Sequence, residues 1–198
     1  MERVIFLDRD GTLNEEVNYL HRREDLRILA GVPEAIRRFR EAGYRIVVVT
    51  NQAGVARGYY SEEDVHVLHQ YMNELLRAEG AEVDHFFYCP HHPEYGIGAY
   101  KKVCHCRKPE IGMFEMAEQY YTVDKEQSWM IGDKLIDVQA GRNYGVRTVL
   151  VGTGYGEKEQ AMVQAGLAHT AMQEQATGGQ PYDIYAETLL DAAKEILG

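Results

Sequence analysis

The chain has 198 residues, enough for one domain with a substantial core that needs no disulfides. Its 31 acidic against 21 basic residues give a formal net charge of -10, which disfavours nucleic acid or an anionic membrane surface as a mainly electrostatic partner. No stretch is apolar enough to cross a bilayer and Met1 leads into a strand without an apolar signal region, so a cytoplasmic monomer acting on a small molecule is expected.

Val4 to Leu7 is a continuous apolar run suited to a strand covered on both faces, and it ends in Asp8, Asp10, Gly11 and Thr12. Glu15 to Leu29 has no clear period and reads as a loop carrying Tyr19, His21 and Arg22. Gly31 and Pro33 introduce a helix to about Ala42, stopped by Gly43. Tyr44 to Thr50 is a second buried strand, followed by Asn51, Gln52 and a glycine-flanked loop with Arg57. Ser61 with Asp64 resembles a capping box for a long amphipathic helix ending at Gly80, and Val83 to Tyr88 is a third strand. Ile111 to about Tyr121 has helical spacing. Ser128 to Ile131 is a strand with Trp129 in the core, Leu135 to Tyr144 a helix, and Arg147 to Val151 a strand before the loop Gly152 to Gly156. Ala161 to Gln180 is poorly patterned, Gly178, Gly179 and Pro181 mark a turn, and a last helix runs from about Ala186 to Leu197. Strand and helix in alternation predict an α/β fold: a Rossmann-like, mostly parallel sheet with helices on both faces, one domain over residues 1–198.

Ligands of such sheets bind at the carboxyl ends of the strands, where Asp8 with Asp10, Thr50 with Asn51, Lys108 and Asp133 all fall. Any one of these alone is explained as a cap or turn former; together they describe phosphoryl transfer. Asp8 and Asp133 suit Mg²⁺, which takes one or two carboxylates and relieves their repulsion. Asp8 is the candidate nucleophile, Asp10 the proton donor and acceptor, Thr50 a donor to the phosphoryl group, and Lys108 the counter-charge in the transition state. Asp137, a helical turn beyond Asp133, fits an exposed helix position as well as a site position. The tyrosines Tyr59, Tyr60, Tyr95 and Tyr100 suit a sugar pocket or an ordinary loop surface equally.

The three cysteines form a second group. Cys89, His91, Cys104 and Cys106 pair a C-x-H with a C-x-C, and three thiolates with an imidazole are a common closed tetrahedral set for structural Zn²⁺. His92 and His105 are adjacent alternative ligands. The loop 89–106 has little apolar content to order itself, so metal binding would supply that free energy and aim Arg107 and Lys108.

DRDGT at Asp8 to Thr12, Thr50, Lys108 before Pro109, and GDK at Gly132 to Lys134 resemble the four motifs of the haloacid dehalogenase superfamily of phosphatases. The resemblance implies a Rossmann-like fold, Mg²⁺ dependence and the roles given above, with the backbone carbonyl at Asp10 also on the metal. The zinc loop is similar to that of two branches without a large cap domain, the heptose bisphosphate phosphatases and the histidinol-phosphate phosphatases. TNQAGVARGYY at Thr50 to Tyr60 resembles the first branch. A bisphosphate needs a remote cation, for which Arg57 is the candidate clamp, whereas an amine-bearing histidinol phosphate makes arginine a poor partner. Asn51, Arg107 and Lys134 complete the substrate-binding candidates, with a small phosphorylated sugar as the expected partner.

Overall fold

The computed structural model describes residues 1–167 and 180–198. Its centre is a six-stranded parallel sheet in the order β3-β2-β1-β4-β5-β6, formed by β1 (Val4–Leu7), β2 (Arg45–Asn51), β3 (His85–Cys89), β4 (Trp129–Gly132), β5 (Arg147–Val151) and β6 (Ile184–Ala186). β1 pairs β2 through Phe6↔Val47 and β4 through Phe6↔Met130, so both of its edges are filled. Side chains alternate across a strand, and β1 accordingly sends Ile5 and Leu7 into one core and Val4 and Phe6 into the other.

Helices α1 (Val32–Glu41), α3 (Glu62–Ala78) and α7 (Leu189–Leu197) cover the first face with Ile36, Phe39, Leu68, Met72, Leu189 and Ala193. Helices α4 (Gly112–Ala117) and α5 (Leu135–Tyr144) cover the second, where Phe114 stacks on Tyr144 and tilts against Phe6, both at 4.8 Å between ring centres. The crossovers put the turns that leave β1, β2 and β4 at one end of the sheet, which is where the polar strand ends gather.

The predicted capping box of α3 is present, with Ser61 Oγ accepting from Asp64 N at 3.2 Å and Asp64 Oδ2 accepting from Ser61 N at 2.7 Å. Several boundaries differ from the expectations. The helix predicted over Ile111 to Tyr121 ends at Ala117, because the chain must turn to let Thr122 O accept from Glu2 N at 2.7 Å beside β1. The loop after β2 contains the short helix α2 (Ala53–Ala56), and part of the poorly patterned stretch is α6 (Gly156–Gln164). Ala186 does not open the last helix; it closes β6, a three-residue strand paired Val151↔Ala186, and α7 begins at Leu189 capped by Thr188. Three residues are too few to display a period of two. The turn read at Gly178 and Gly179 lies outside the described residues.

Phe114 is fully buried between two aromatic rings. Phe114→Ala is expected to cost about 3–5 kcal/mol and lower the thermal midpoint by about 10 °C, as measured by calorimetry.

Candidate active site

The end of β1 sets the site. Asp8 N donates to Ile131 O at 3.0 Å, so the chain is still held to β4 when it presents the first carboxylate. Gly11 then turns with φ 80°, and a Cβ there would stand 2.3 Å from Asp133 Oδ2, so only glycine lets the motif lie against the second strand end. Thr153 Oγ1 donates to Gly11 O at 2.6 Å and closes the turn.

Lys108 joins the acids. Its ammonium is 2 % exposed and lies 2.8 Å from Asp8 Oδ1, 2.7 Å from Asp137 Oδ1 and 2.8 Å from Val49 O. Burial alone would lower its pKa, but the charges of Asp137 and Asp8 outweigh that and raise it. Burial would likewise raise the Asp8 carboxyl; Lys108, Lys134 and hydrogen bonds from Lys108 and from Arg9 N outweigh it and hold Asp8 below the usual range. Asp8 is therefore ionised at neutral pH, the state a nucleophile requires. Asp137 is buried, counters Lys108, and caps α5 by accepting from Lys134 N at 3.1 Å; the alternative of an exposed helix position is wrong. Spacing missed it because an i, i+4 acid on a helix is ordinary, and its partner lies in a distant loop.

Asp133 is fully buried. Its Oδ2 accepts from Tyr155 N at 2.9 Å, while Oδ1 has no hydrogen-bond partner among the described residues. Burial first and the Asp8 charge second push its carboxyl up to about 8. One oxygen each of Asp8, Asp133 and Asp137 lies within 4.8 Å of the others, so three buried acids converge where the Lys108 ammonium pairs with two of them. That donor set fits a hard divalent cation.

Asp10 lies on the same rim but in a different environment. Its carboxylate takes hydrogen bonds from the Arg9 guanidinium, from Asn14 Nδ2 at 3.0 Å and from Gln52 Nε2 at 3.1 Å. Gln52 Nε2 also donates to Thr50 Oγ1 at 3.0 Å, leaving that hydroxyl's own proton free to aim elsewhere. Asn51 locks the Lys108 peptide, accepting from Lys108 N at 3.0 Å and donating to Lys108 O at 3.2 Å, so it positions the lysine. Asp8, Asp10, Thr50, Asn51, Arg107, Lys108, Lys134 and Asp137 share a cavity of about 390 Å³, closed on one side by Glu16 to Leu20 and Tyr155. Lys134 Nζ pairs with Glu16 at 2.9 Å across it.

Arg57 does not line this cavity. Its guanidinium stacks 4.3 Å from the centre of the Tyr95 ring and 5.7 Å from that of Tyr19, where it ties loops together. Arg107 does reach the cavity, with Nη1 donating to His91 O at 3.1 Å. Tyr60 reaches it too and donates to Gln52 Oε1 at 2.8 Å.

Cys89, His91, Cys104 and Cys106 converge beside this wall. The sulfurs are 3.0 to 3.3 Å apart, and His91 Nδ1 is 3.4 Å from Cys106 Sγ. These separations exceed a disulfide bond of about 2.05 Å and approach the roughly 3.8 Å that zinc–sulfur bonds of about 2.3 Å impose in a tetrahedron. His92 and His105 face elsewhere: His92 Nδ1 accepts from the Glu94 and Tyr95 amides, and His105 pairs with Glu115 at 2.8 Å. The cluster fits a zinc site built on His91.

The sheet order and the four polar strand ends define a haloacid dehalogenase-like hydrolase, and the HAD-hydrolase-like family matches residues 105–177. The D-glycero-beta-D-manno-heptose-1,7-bisphosphate 7-phosphatase of Haemophilus ducreyi is 44% identical over 84% of this chain and 94% of that protein. The D-glycero-alpha-D-manno-heptose-1,7-bisphosphate 7-phosphatase of Photorhabdus laumondii is 42% identical over 79% of this chain and 86% of that protein. The solved D,D-heptose 1,7-bisphosphate phosphatase of B. bronchiseptica, complexed with magnesium and phosphate, superposes with a TM-score of 0.80 at 33% identity, covering 98% of each chain. The chain belongs to the heptose-1,7-bisphosphate 7-phosphatase family of haloacid dehalogenase-like hydrolases. No helix among the described residues is long and apolar enough to cross a membrane.

The raised Asp133 carboxyl binds its proton more tightly in the folded chain than in the unfolded one. In metal-free protein its contribution to stability is therefore fully present below the ordinary aspartate range near 3.8 and is lost as pH climbs towards about 8. Asp133→Asn is expected to flatten that slope, raise the metal-free thermal midpoint at pH 8 by about 2–4 °C, and abolish the upward shift that Mg²⁺ produces in the native protein, all read by thermal denaturation.

Proposed function

We infer that the chain is a phosphatase that removes the 7-phosphate of D-glycero-D-manno-heptose 1,7-bisphosphate and leaves a heptose 1-phosphate for nucleotide activation. The observation that carries this reading is the ionised Asp8 held by buried Lys108 in a cavity that Arg107 and Lys134 also line, in a chain 44% identical to a phosphatase of that name. Histidinol phosphate is the disfavoured alternative. Relatives 42 to 45% identical to this chain carry the heptose bisphosphate phosphatase name.

In this reading Asp8 attacks phosphorus while the ester oxygen departs with the proton of Asp10, giving an aspartyl-phosphate and the free alcohol. Asp10 then takes a proton from water as the water oxygen bonds to phosphorus and the bond to Asp8 breaks, so that phosphate leaves and Asp10 regains its proton. Thr50 donates to a phosphoryl oxygen, and Lys108 offsets charge on the others. Asp8, Asp133 and the Asp10 carbonyl would hold Mg²⁺, which supplies charge neutralisation for phosphate and carboxylates alike. Arg107 takes the place first given to Arg57 as anchor for the second phosphate, because it faces the cavity. Asn51 and Lys134 serve the same wall, Asn51 through Lys108 and Lys134 through Glu16.

Zn²⁺ on Cys89, His91, Cys104 and Cys106 would order the loop 89–106, which replaces a large cap domain within a single domain spanning 1–198. Every group named lies on one chain, which suits a working monomer. A doubly phosphorylated sugar does not cross a bilayer unaided, which suits the cytoplasm.

Asp8→Asn is expected to lower turnover at least about 10³-fold. Wild-type rates on the α and β heptose bisphosphates should both exceed the rate on histidinol phosphate; a preference for the last would overturn the reading. Cys106→Ser, or stripping zinc with a tight chelator, should lower the thermal midpoint by more than about 5 °C. An unchanged midpoint with zinc absent by elemental analysis would remove the structural role.

A further inference from the structure

Arg9 takes no part in the reaction described above, although it stands between the two carboxylates of the motif. It is fully buried, and its donors are all directed inward. Nη2 lies 2.9 Å from Asp10 Oδ1 and 2.8 Å from Asp10 Oδ2, Nε is 3.2 Å from Asp10 Oδ1, and Nη2 also reaches Leu20 O at 3.3 Å. The remaining arm, Nη1, lies 3.2 Å from Nε2 of His69, a buried residue on α3.

A guanidinium only donates, so His69 must offer the Nε2 lone pair and carry its proton on Nδ1. Burial first and the Arg9 charge second hold this imidazole well below the ordinary histidine range, so it stays neutral and keeps that lone pair. The ring itself is fixed by stacking on Phe86 at 4.7 Å and by the edge of Tyr88 at 6.0 Å. A chain that needed only a turn between Asp8 and Asp10 would place a neutral residue there, because an unpaired buried guanidinium is costly. The expense makes sense if the fork has work to do on Asp10.

We propose that Arg9, braced by His69, is a positioning residue that sets the Asp10 carboxyl towards the leaving oxygen. The proposal rests on the reading of Asp10 as proton donor. Arg9 touches both Asp10 oxygens, while Asn14 grips Oδ1 and Gln52 grips Oδ2, with Tyr60 behind Gln52. Asn14 and Gln52 each hold one oxygen, whereas the Arg9 fork spans both and fixes the plane of the carboxylate. His69 fixes the far side of that fork from the edge of the sheet.

The test compares kcat and KM on phenyl phosphate and p-nitrophenyl phosphate, with Mg²⁺, for wild type, Asp10→Asn, Arg9→Met, His69→Leu and His69→Gln. A nitrophenolate leaves without a proton, so loss of proton donation shows on the phenyl ester alone. Asp10→Asn is expected to lose about 10²-fold or more in kcat/KM on phenyl phosphate and far less on the nitrophenyl ester, because kcat/KM reports the attack step and not the later hydrolysis, in which Asp10 serves both esters alike. Arg9→Met should repeat that selectivity at about tenfold with KM little changed, His69→Leu should show a weaker form, and His69→Gln, whose carboxamide oxygen can accept from Nη1, should recover. If Arg9→Met does not fold, the two His69 variants carry the comparison, since they leave the guanidinium in place. Equal losses on both esters in the Arg9 and His69 variants, beside a selective Asp10→Asn, would overturn the proposal and leave Arg9 as a structural tie. Equal losses of kcat/KM on both esters in Asp10→Asn would refute the proton-donor reading itself, and the proposal with it.

Discussion

Burying the Lys108 ammonium constrains everything else in the site. Its contacts come from three places in the chain: Asp8 beyond β1, the Val49 carbonyl in β2, and Asp137 in the helix that follows β4. A buried pair broken on one side costs about 3–5 kcal/mol, because the other charge is left unpaired. The three elements therefore have to meet at one register, and the parallel pairing of β2, β1 and β4 supplies it. The arrangement is also unbalanced. Lys108 satisfies Asp8 and Asp137, Lys134 reaches Asp133 only at 3.9 Å, and one Asp133 oxygen has no hydrogen-bond partner among the described residues. Burial and the Asp8 charge make the Asp133 anion costly on its own, and that gives the group its demand for a cation.

The lysine depends in turn on a loop that cannot place it unaided. Residues 89–106 show Tyr95, Ile97 and Val103 to solvent, so burial of apolar surface contributes little to their order. They are instead tied at several points: Tyr100 donates to Glu62 at the start of α3, Ile97 N donates to Ala56 O at 2.8 Å, and the cysteine cluster closes the base. Lys108 follows Cys106 by two residues, and Asn51 grips its peptide on both sides. A metal on the cysteines is thus linked to the geometry of the phosphoryl site through a few covalent bonds, with little slack between them.

Much of this was legible in the residues. Strand ends rich in acid, hydroxyl and lysine announce a phosphoryl site because few other reasons put such groups there together, and C-x-H with C-x-C limits the zinc ligands to a short set. What stayed hidden involves partners remote in sequence. Asp137 looked like an ordinary helix acid until Lys108 stood beside it, and Arg57 looked like a clamp on a flexible loop until Tyr95 and Tyr19 covered it. The choice between His91, His92 and His105 required backbone direction, which spacing does not carry. β6 was too short to show a period, and it is recognised only through its ladder with β5.

The two carboxylates of the motif illustrate how position becomes chemistry. Asp8 and Asp10 are separated by one residue, yet they draw on different surroundings: Asp8 looks to a lysine and two further acids, Asp10 to a guanidinium and two carboxamides. The first set keeps an anion ready beside a cation site, which suits attack on phosphorus. The second places hydrogen-bond donors on both oxygens, which suits the proton-transfer role proposed for Asp10. Gly11 lets the turn after Asp10 lie against Asp133 and Gly154. The division of labour proposed within DRDGT thus rests on two separate groups of side chains, which the fold brings to the short motif.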